Sequence, residues 1–189
     1  MPKSLNELTI EELGQLFPVV LSEPNQYWGV MFKKERERII DILRIDEARI
    51  HHIGSTAVPN LVAKPTIDIL VELPKATNIS LLNQQFTRLG YDVIPRPTKP
   101  APHLMFAKGY TPTGLQGQTF HVHPRYFGDW DEPYFCHYLK NHPEVAREYA
   151  VLKQKLAIQF RNNREDYTQG KTEFVQKISA LARKEGNKL

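Results

Sequence analysis

Past residue 48 the chain leaves helical spacing for two short period-two runs, Arg49-Ile50-His51-His52-Ile53 and Thr66-Ile67-Asp68-Ile69-Leu70-Val71, separated by turn residues. Apolar side chains at every second position are the mark of a half-buried strand. The two runs therefore read as adjacent strands. In the second run Asp68 stands among residues that all favour burial, where an unpaired carboxylate is costly. Alternation resolves the conflict. Asp68, Leu70 and Glu72 share one face and Ile67, Ile69 and Val71 the other, so the carboxylate either opens into a cleft or stands on a polar face while the aliphatic side chains meet the core.

Helical patterns flank this pair. Thr9-Ile10-Glu11-Glu12 is a capping-box pattern ahead of Leu13, Leu16 and Phe17, with Pro18 as a stop, and it predicts a short leading helix within residues 4–21. Trp28, Phe32, Ile39 and Leu43 define an amphipathic helix, and the run Lys33 to Arg38 reads as its solvated face. Downstream, Asn78 to Leu89 is predicted to be a helix stopped by Gly90, followed by a strand Tyr91–Ile94. Five prolines between Pro95 and Pro112 frame a strand at His103–Ala107, and Gly114 and Gly117 lead into another at Thr119–His123. Pro143 suits a first helical turn; Val145, Tyr149, Leu152, Leu156 and Phe160 recur at helical spacing, as do Phe174, Ile178 and Leu181. The expected fold is α/β (α+β): a small mixed sheet flanked by helices, with a C-terminal helical segment. It is expected as one domain over residues 1–189, with leading helices at 1–47, a sheet core at 48–125 and a helical cap at 126–189.

Composition is consistent with a globular core and narrows the setting. With 189 residues, 41% hydrophobic and 24% charged, a single domain buries about 70% of its unfolded surface and needs no staple. The lone cysteine, Cys136, has no internal partner and no metal-ligand spacing around it, which predicts a structural thiol and a reducing, cytoplasmic setting. Neither a signal-like N-terminal stretch nor a window of about 20 apolar residues is present, so no membrane partner is expected. The net charge of +4 comes with acids interspersed among the bases, which favours anionic ligands only weakly. Without a nucleic-acid motif or aromatics interleaved in a basic stripe, nucleic acid is not an expected partner. No pattern in the chain specifies an oligomeric state.

The candidate chemistry gathers around Asp68. Gly54-Ser55-Thr56 follows the first strand, and a small turn there brings backbone N–H groups and two hydroxyls close to a phosphate, although many strands simply end in such turns. P-loop and GxGxxG patterns are both absent. His121 and His123 alternate with Phe120 and Val122, so both imidazoles leave one face. With His52 and Asp68 they can form a histidine–carboxylate cluster better suited to zinc, manganese or iron than to magnesium. That requires adjacent strands, both histidines facing Asp68, and an open cavity above them; otherwise the pair marks a polar sheet face. Lys64 is held near the strand entrance, where it can neutralise a phosphate. Lys153 has a stem on an apolar helix face, and Lys171 is comparable; by spacing alone both read as surface charges. Trp28, Tyr149, Phe160 and Phe174 read as core residues, not base-stacking platforms.

A strand ending in Gly54-Ser55, twelve intervening residues and then Asp68 on the next strand resembles the hG[GS]…Dh signature of the nucleotidyltransferase superfamily. More narrowly, Ile50 to Ile69, reading IHHIGSTAVPNLVAKPTIDI, resembles the GrpB family pattern HIGSTAVPGLxAKPxIDI. Leu16-Phe17-Pro18, Trp28 and Glu35 match upstream, Phe120-His121-Val122-His123 matches an FHLHV-type strand, and Leu152-Lys153, Tyr167-Thr168, Lys171 and Phe174 match the helical end. The resemblance implies a nucleotidyltransferase-like fold. It implies phosphate contacts from Gly54, Ser55, Thr56, Lys64, Lys153 and Lys171, and a divalent metal, magnesium or manganese with zinc as an option through histidine, on Asp68, His121, His123 and His52. Asp68 is then the catalytic carboxylate, and a nucleoside triphosphate or another phosphorylated small molecule the expected partner. The expected activity is metal-dependent transfer of a nucleoside monophosphate to a small-molecule or protein acceptor; the alternative is a non-catalytic phosphate-binding module linked to coenzyme A metabolism, because related domains are fused to dephospho-coenzyme A kinase. Departures bear on this choice. Leu70 stands where the superfamily has a second acid, and the later strand carries His121 and His123 where a third carboxylate is frequent. Asn60 replaces a glycine, and Cys136, His137 and Lys140 replace the Arg, Asp and Arg of an FRDYLR-like segment.

Overall fold

Thr9 caps the first helix as its spacing predicts. Its side chain accepts from the Glu12 N–H at 3.2 Å, and the Glu12 carboxylate accepts from the Thr9 N–H at 2.8 Å. Helix α1 then spans Ile10–Leu16 and stops ahead of Pro18. The computed structural model describes residues 7–186, so the predicted beginning of this segment at Ser4 lies outside them.

Helix α2, Tyr27–Leu43, ends at Arg44 in the left-handed conformation and buries Trp28, Phe32, Glu35 and Ile39. The charged run is therefore not wholly a solvated face. Residue 35 falls on the same stripe as 28, 32 and 39, and its carboxylate, only 4% exposed, is neutralised in place. It accepts hydrogen bonds from Tyr91 Oη at 3.0 Å, Lys108 Nζ at 2.8 Å and Arg38 at 3.0 Å. Three donors satisfy the carboxylate inside an otherwise apolar stripe.

The strands are β1 Ile50–Ile53, β2 Thr66–Leu73, β3 Asp92–Pro95, β4 Leu104–Thr111 and β5 Gly114–Tyr126, in the spatial order β1-β2-β5-β4-β3. Only β2 and β5 run parallel, and the other neighbours pair antiparallel. Helix α3, Ile79–Arg88, is capped by the Asn78 side chain. The expected mixed sheet is present, but β4 and β5 are longer than their alternating cores suggest. Pairing continues through Gly109 by a register shift between Lys108 and Tyr110. At the other end, His103 has φ 62, which holds the strand's start to Leu104.

One face of the sheet makes the main core. Ile67, Ile69, Val71, Leu73, Phe120 and Val122 pack with Trp28, Phe32, Leu82 and Phe86 from α2 and α3. Phe86 and Phe106, both 0% exposed, stack at 4.0 Å, and full burial of such a ring contributes about 1.5–3 kcal/mol. The remaining helices are α4 Asp131–Asn141, α5 Pro143–Gln159, α6 Arg164–Gln169 and α7 Thr172–Glu185. Phe135, Cys136, Leu139, Tyr149, Ile178 and Ala182 from α4, α5 and α7 form a second apolar cluster with Val58 and Leu61. Cys136 is fully buried there, and burial pushes its thiol up to about 11, as befits a structural residue. Asn60 adopts φ 59, a conformation open to glycine at no steric cost and tolerated by asparagine. No helix among the described residues is long and apolar enough to cross a membrane.

Candidate functional site

The parallel register of β2 and β5 builds the site. Asp68 is paired with His121 and Leu70 with His123, and partners in register project to the same side. His123 Nε2 lies 3.0 Å and His121 Nδ1 3.4 Å from the same oxygen, Asp68 Oδ1. The two imidazoles stand nearly perpendicular, at 88°. Asp68, His121 and His123 each offer one ligand atom, all within 4.8 Å of one another. Their side chains are 29%, 18% and 24% exposed, so solvent or a ligand can reach them.

Burial works against ionising Asp68, but the hydrogen bonds and positive field of His121 and His123 outweigh it and hold the carboxyl well below the usual range. Burial also lowers the pKa of His121, against the pull of Asp68. An ionised carboxylate beside a neutral imidazole is the protonation state a cation requires.

His52 does not join this cluster. Ile53, not His52, is in register with Asp68, and His52 is paired with Ile69. It therefore leaves the opposite face of the sheet, where it stacks on Phe32 at 4.6 Å. Its Nε2 lies 3.1 Å from Thr56 Oγ1. Burial pushes it down to about 4, the Lys140 charge adds to that, and it is a neutral structural residue at pH 7.

Gly54 follows β1 beside Asp68, with φ 70 and ψ −171. A Cβ on Gly54 would lie 2.7 Å from Asp68 Oδ2, so the absent side chain is what lets the turn close over the carboxylate. The hydroxyls of the turn are largely committed to the fold. Thr56 Oγ1 donates to the Thr66 carbonyl at 3.3 Å and is buried. Ser55 Oγ accepts from Lys153 Nζ at 3.0 Å. Lys153 is 1% exposed, and its ammonium also donates to the Val62 carbonyl. It is neither a surface charge nor free for a ligand; it clasps the two ends of the segment 55–62. Lys153→Met is expected to leave Ser55 Oγ and the Val62 carbonyl without their donor, lowering stability by about 1–3 kcal/mol in a urea unfolding measurement.

Lys64 and Lys171 flank one aromatic ring, their Nζ atoms 5.3 and 4.3 Å from the centroid of Tyr167. Among the described residues, neither ammonium makes an ion pair or a hydrogen bond to a carboxylate. Burial, then the charges of Arg164 and Lys171, push Lys64 down to about 7. Burial pushes Lys171 down to about 8, with Asp68 opposing and Arg164 assisting. Burial and the Lys171 charge push Lys153 down to about 7. All three sit below the ordinary 10.5. Between about 7 and 9 these lysines bind more protons in the unfolded chain than in the folded one, so stability rises with pH across that window; above about 9 the buried Cys136 thiol and the buried Tyr91, Tyr149 and Tyr167 hydroxyls, all pushed up, work in the opposite direction. Melting temperatures measured without ligand are expected to climb between about 7 and 9, and a bound phosphate, by restoring the ammonium charge, to flatten the climb.

Other expected or omitted residues fall into place. Leu70, on the Asp68 face, is fully buried. Glu72, further along, is held by His51 at 3.2 Å and Arg49 at 3.7 Å and does not turn back to Asp68. Sequence patterns missed Tyr110 and Arg164. Tyr110 Oη lies 2.8 Å from His121 Nε2 and accepts from Arg164 at 3.2 Å. The available signal was Gly109, since an isolated glycine inside a strand pattern marks a bulge that re-aims its neighbour. A concavity of about 490 Å³ under the β4–β5 hairpin, between Glu35, Arg38, Lys108 and Gln118, reaches Tyr110 but none of the Asp68 cluster.

A family model described as GrpB protein matches this chain, with its mixed sheet and Asp68 cluster, along residues 18–181. The chain belongs to the GrpB family. It is 34% identical over 163 residues to the UPF0157 protein YqkA of Bacillus subtilis, covering 85% of this chain and 46% of that protein. Against the UPF0157 protein PA4798 of Pseudomonas aeruginosa the identity is 40%, over 82% of this chain and 64% of that one. The chain thus spans about half and under two thirds of these two relatives, respectively. The crystal structure of conserved protein GrpB from Enterococcus faecalis is similar with a TM-score of 0.75 and 30% identity, covering 88% of this chain and 98% of that one.

Proposed function

We propose that the Asp68 cleft binds a divalent cation together with the phosphates of a nucleoside triphosphate, and transfers the nucleoside monophosphate to a hydroxyl acceptor. The observation that carries this reading is a two-histidine, one-carboxylate donor set, closed over by the Gly54 turn, whose Asp68 charge is felt by the ammonium groups of Lys64 and Lys171 on the Tyr167 ring, neither of which has a carboxylate partner among the described residues. Cations brought together without carboxylate partners are a standing demand for an anion. The donor set fits the metal as well: two imidazoles and a carboxylate suit manganese or zinc better than magnesium, which prefers oxygen.

Asp68, His121 and His123 would hold the cation, which when bound polarises a phosphoryl oxygen and offsets developing negative charge. Lys64 and Lys171 neutralise the remaining phosphate oxygens, and the Gly54 backbone permits the phosphates to approach Asp68 closely. Lys153 acts from behind, holding Ser55 in place. The test is incubation with each labelled nucleoside triphosphate and manganese, zinc or magnesium, with pyrophosphate release as the readout. Release that needs manganese or zinc supports transfer.

A second reading has its own observation. Leu70, fully buried, occupies the position of the superfamily's second acid, and transfer through a metal pair has no second anchor there. Nucleotide binding without pyrophosphate release would assign the chain to a phosphate-binding accessory module, the reading that a link to coenzyme A metabolism would suit.

A further inference from the structure

His121 presents Nδ1 to Asp68 and Nε2 to Tyr110, so the proton it carries on one nitrogen is governed by what stands at the other. Tyr110 is well fixed for that task. Its ring stacks on His121 with centroids 5.5 Å apart and 12° between planes, and Phe17 packs edge-on against it at 5.1 Å. Arg164, whose guanidinium lies 5.4 Å from the Tyr110 centroid, donates to Tyr110 Oη.

We propose that Tyr110 is a positioning residue for the cation site, holding His121 in orientation and accepting or donating a hydrogen bond as the imidazole changes tautomer on loading. This rests on the reading that Asp68, His121 and His123 bind a divalent cation. Arginine can only donate, so Arg164 occupies one lone pair of Tyr110 Oη and leaves its hydroxyl proton free for His121 Nε2. When that hydroxyl donates to Nε2, the imidazole proton is on Nδ1, which lies 3.4 Å from Asp68 Oδ1. A cation at Nδ1 needs the lone pair there. The proton leaves Nδ1 to solvent and another is taken up at Nε2, with no net release, and the new Nε2–H donates to the second lone pair of Tyr110 Oη. A hydroxyl serves both tautomers; a phenyl ring serves neither. The Arg164 bond makes the exchange one of direction at a fixed oxygen rather than of side-chain position. Outer partners of this kind raise ligand basicity and fix ring orientation, and their loss weakens metal binding about 10–100-fold.

The test uses Co²⁺ as the probe, without nucleotide, on the wild-type chain and on Tyr110→Phe. Affinity is read by titration and coordination by the visible absorption of the bound ion. The expected result is a loss of about 10–100-fold in Co²⁺ affinity with an altered absorption band, while circular dichroism of the metal-free variant is unchanged. Arg164→Met, which leaves the hydroxyl but frees it, is expected to show a smaller loss in the same direction, and serves if Tyr110→Phe does not fold. Equal affinity and an identical spectrum for wild type and Tyr110→Phe would overturn the role of Tyr110 while leaving the cation site standing. A wild-type chain that takes up no Co²⁺, Mn²⁺ or Zn²⁺ would overturn the cation reading itself and this inference with it.

Discussion

Asp68→Asn abolishes metal-dependent nucleotide binding and leaves the fold intact. The amide has the size of the carboxylate, and the side chain is 29% exposed, so packing is little disturbed. What disappears is the one formal negative charge among the cluster's three donors. The expected loss of cation affinity exceeds the about 10–100-fold typical of an outer partner. A second consequence separates this loss from simple damage. Without a cation, Asp68 repels the anion that Lys64 and Lys171 attract, so the Asn variant is expected to bind phosphate more tightly than wild type when metal is withheld. Opposite shifts with and without metal, measured by calorimetry on one preparation, are a signature that unfolding cannot imitate.

Gly54→Ala fails for steric reasons. The φ 70, ψ −171 conformation of Gly54 is essentially restricted to glycine, and holding another residue there costs about 1–3 kcal/mol. The added methyl would also stand 2.7 Å from Asp68 Oδ2 and 3.2 Å from its Cβ, so relief requires the carboxylate to move. The variant is expected to lose stability by at least that amount and to lose cation uptake together with it. Gly29→Ala is the control. It lies inside α2 with nothing within 4 Å of a Cβ, and the same substitution there is expected to stabilise by about 0.5–1 kcal/mol. Urea midpoints moving in opposite directions for the two alanines would locate the effect at the turn.

The legible parts of the site were those that local alternation decides. Asp68 on a face away from Ile67 and Ile69, and His121 with His123 on one face, follow from the strand period alone. The partner of each strand does not. Parallel pairing of β2 with β5 brings the histidines to Asp68, and nothing in either strand's own residues announces it. His52 shows the same limit from the other side. Its face relative to Asp68 depends on which residue of β1 meets Asp68, and that residue is Ile53. The charged run around Glu35 reads as a solvated face, yet Glu35 is buried because Lys108 and Tyr91 meet it; an apolar helix face predicts a buried stem for Lys153, but not that Ser55 and Val62 take up its ammonium in place of a phosphate. Capping and stop signals place the ends of α1 and α3, whereas Gly109 and Gly117 lie inside the long β4 and β5 and do not mark their ends.

Cation binding at Asp68, His121 and His123 is measured most directly by Mn²⁺ uptake, followed as the loss of the free-ion electron paramagnetic resonance signal with and without ATP. One Mn²⁺ per wild-type chain is expected, held more tightly when ATP is present, and none at this site in Asp68→Asn. Uptake that is absent in wild type, or unchanged in Asp68→Asn, would contradict binding at these residues.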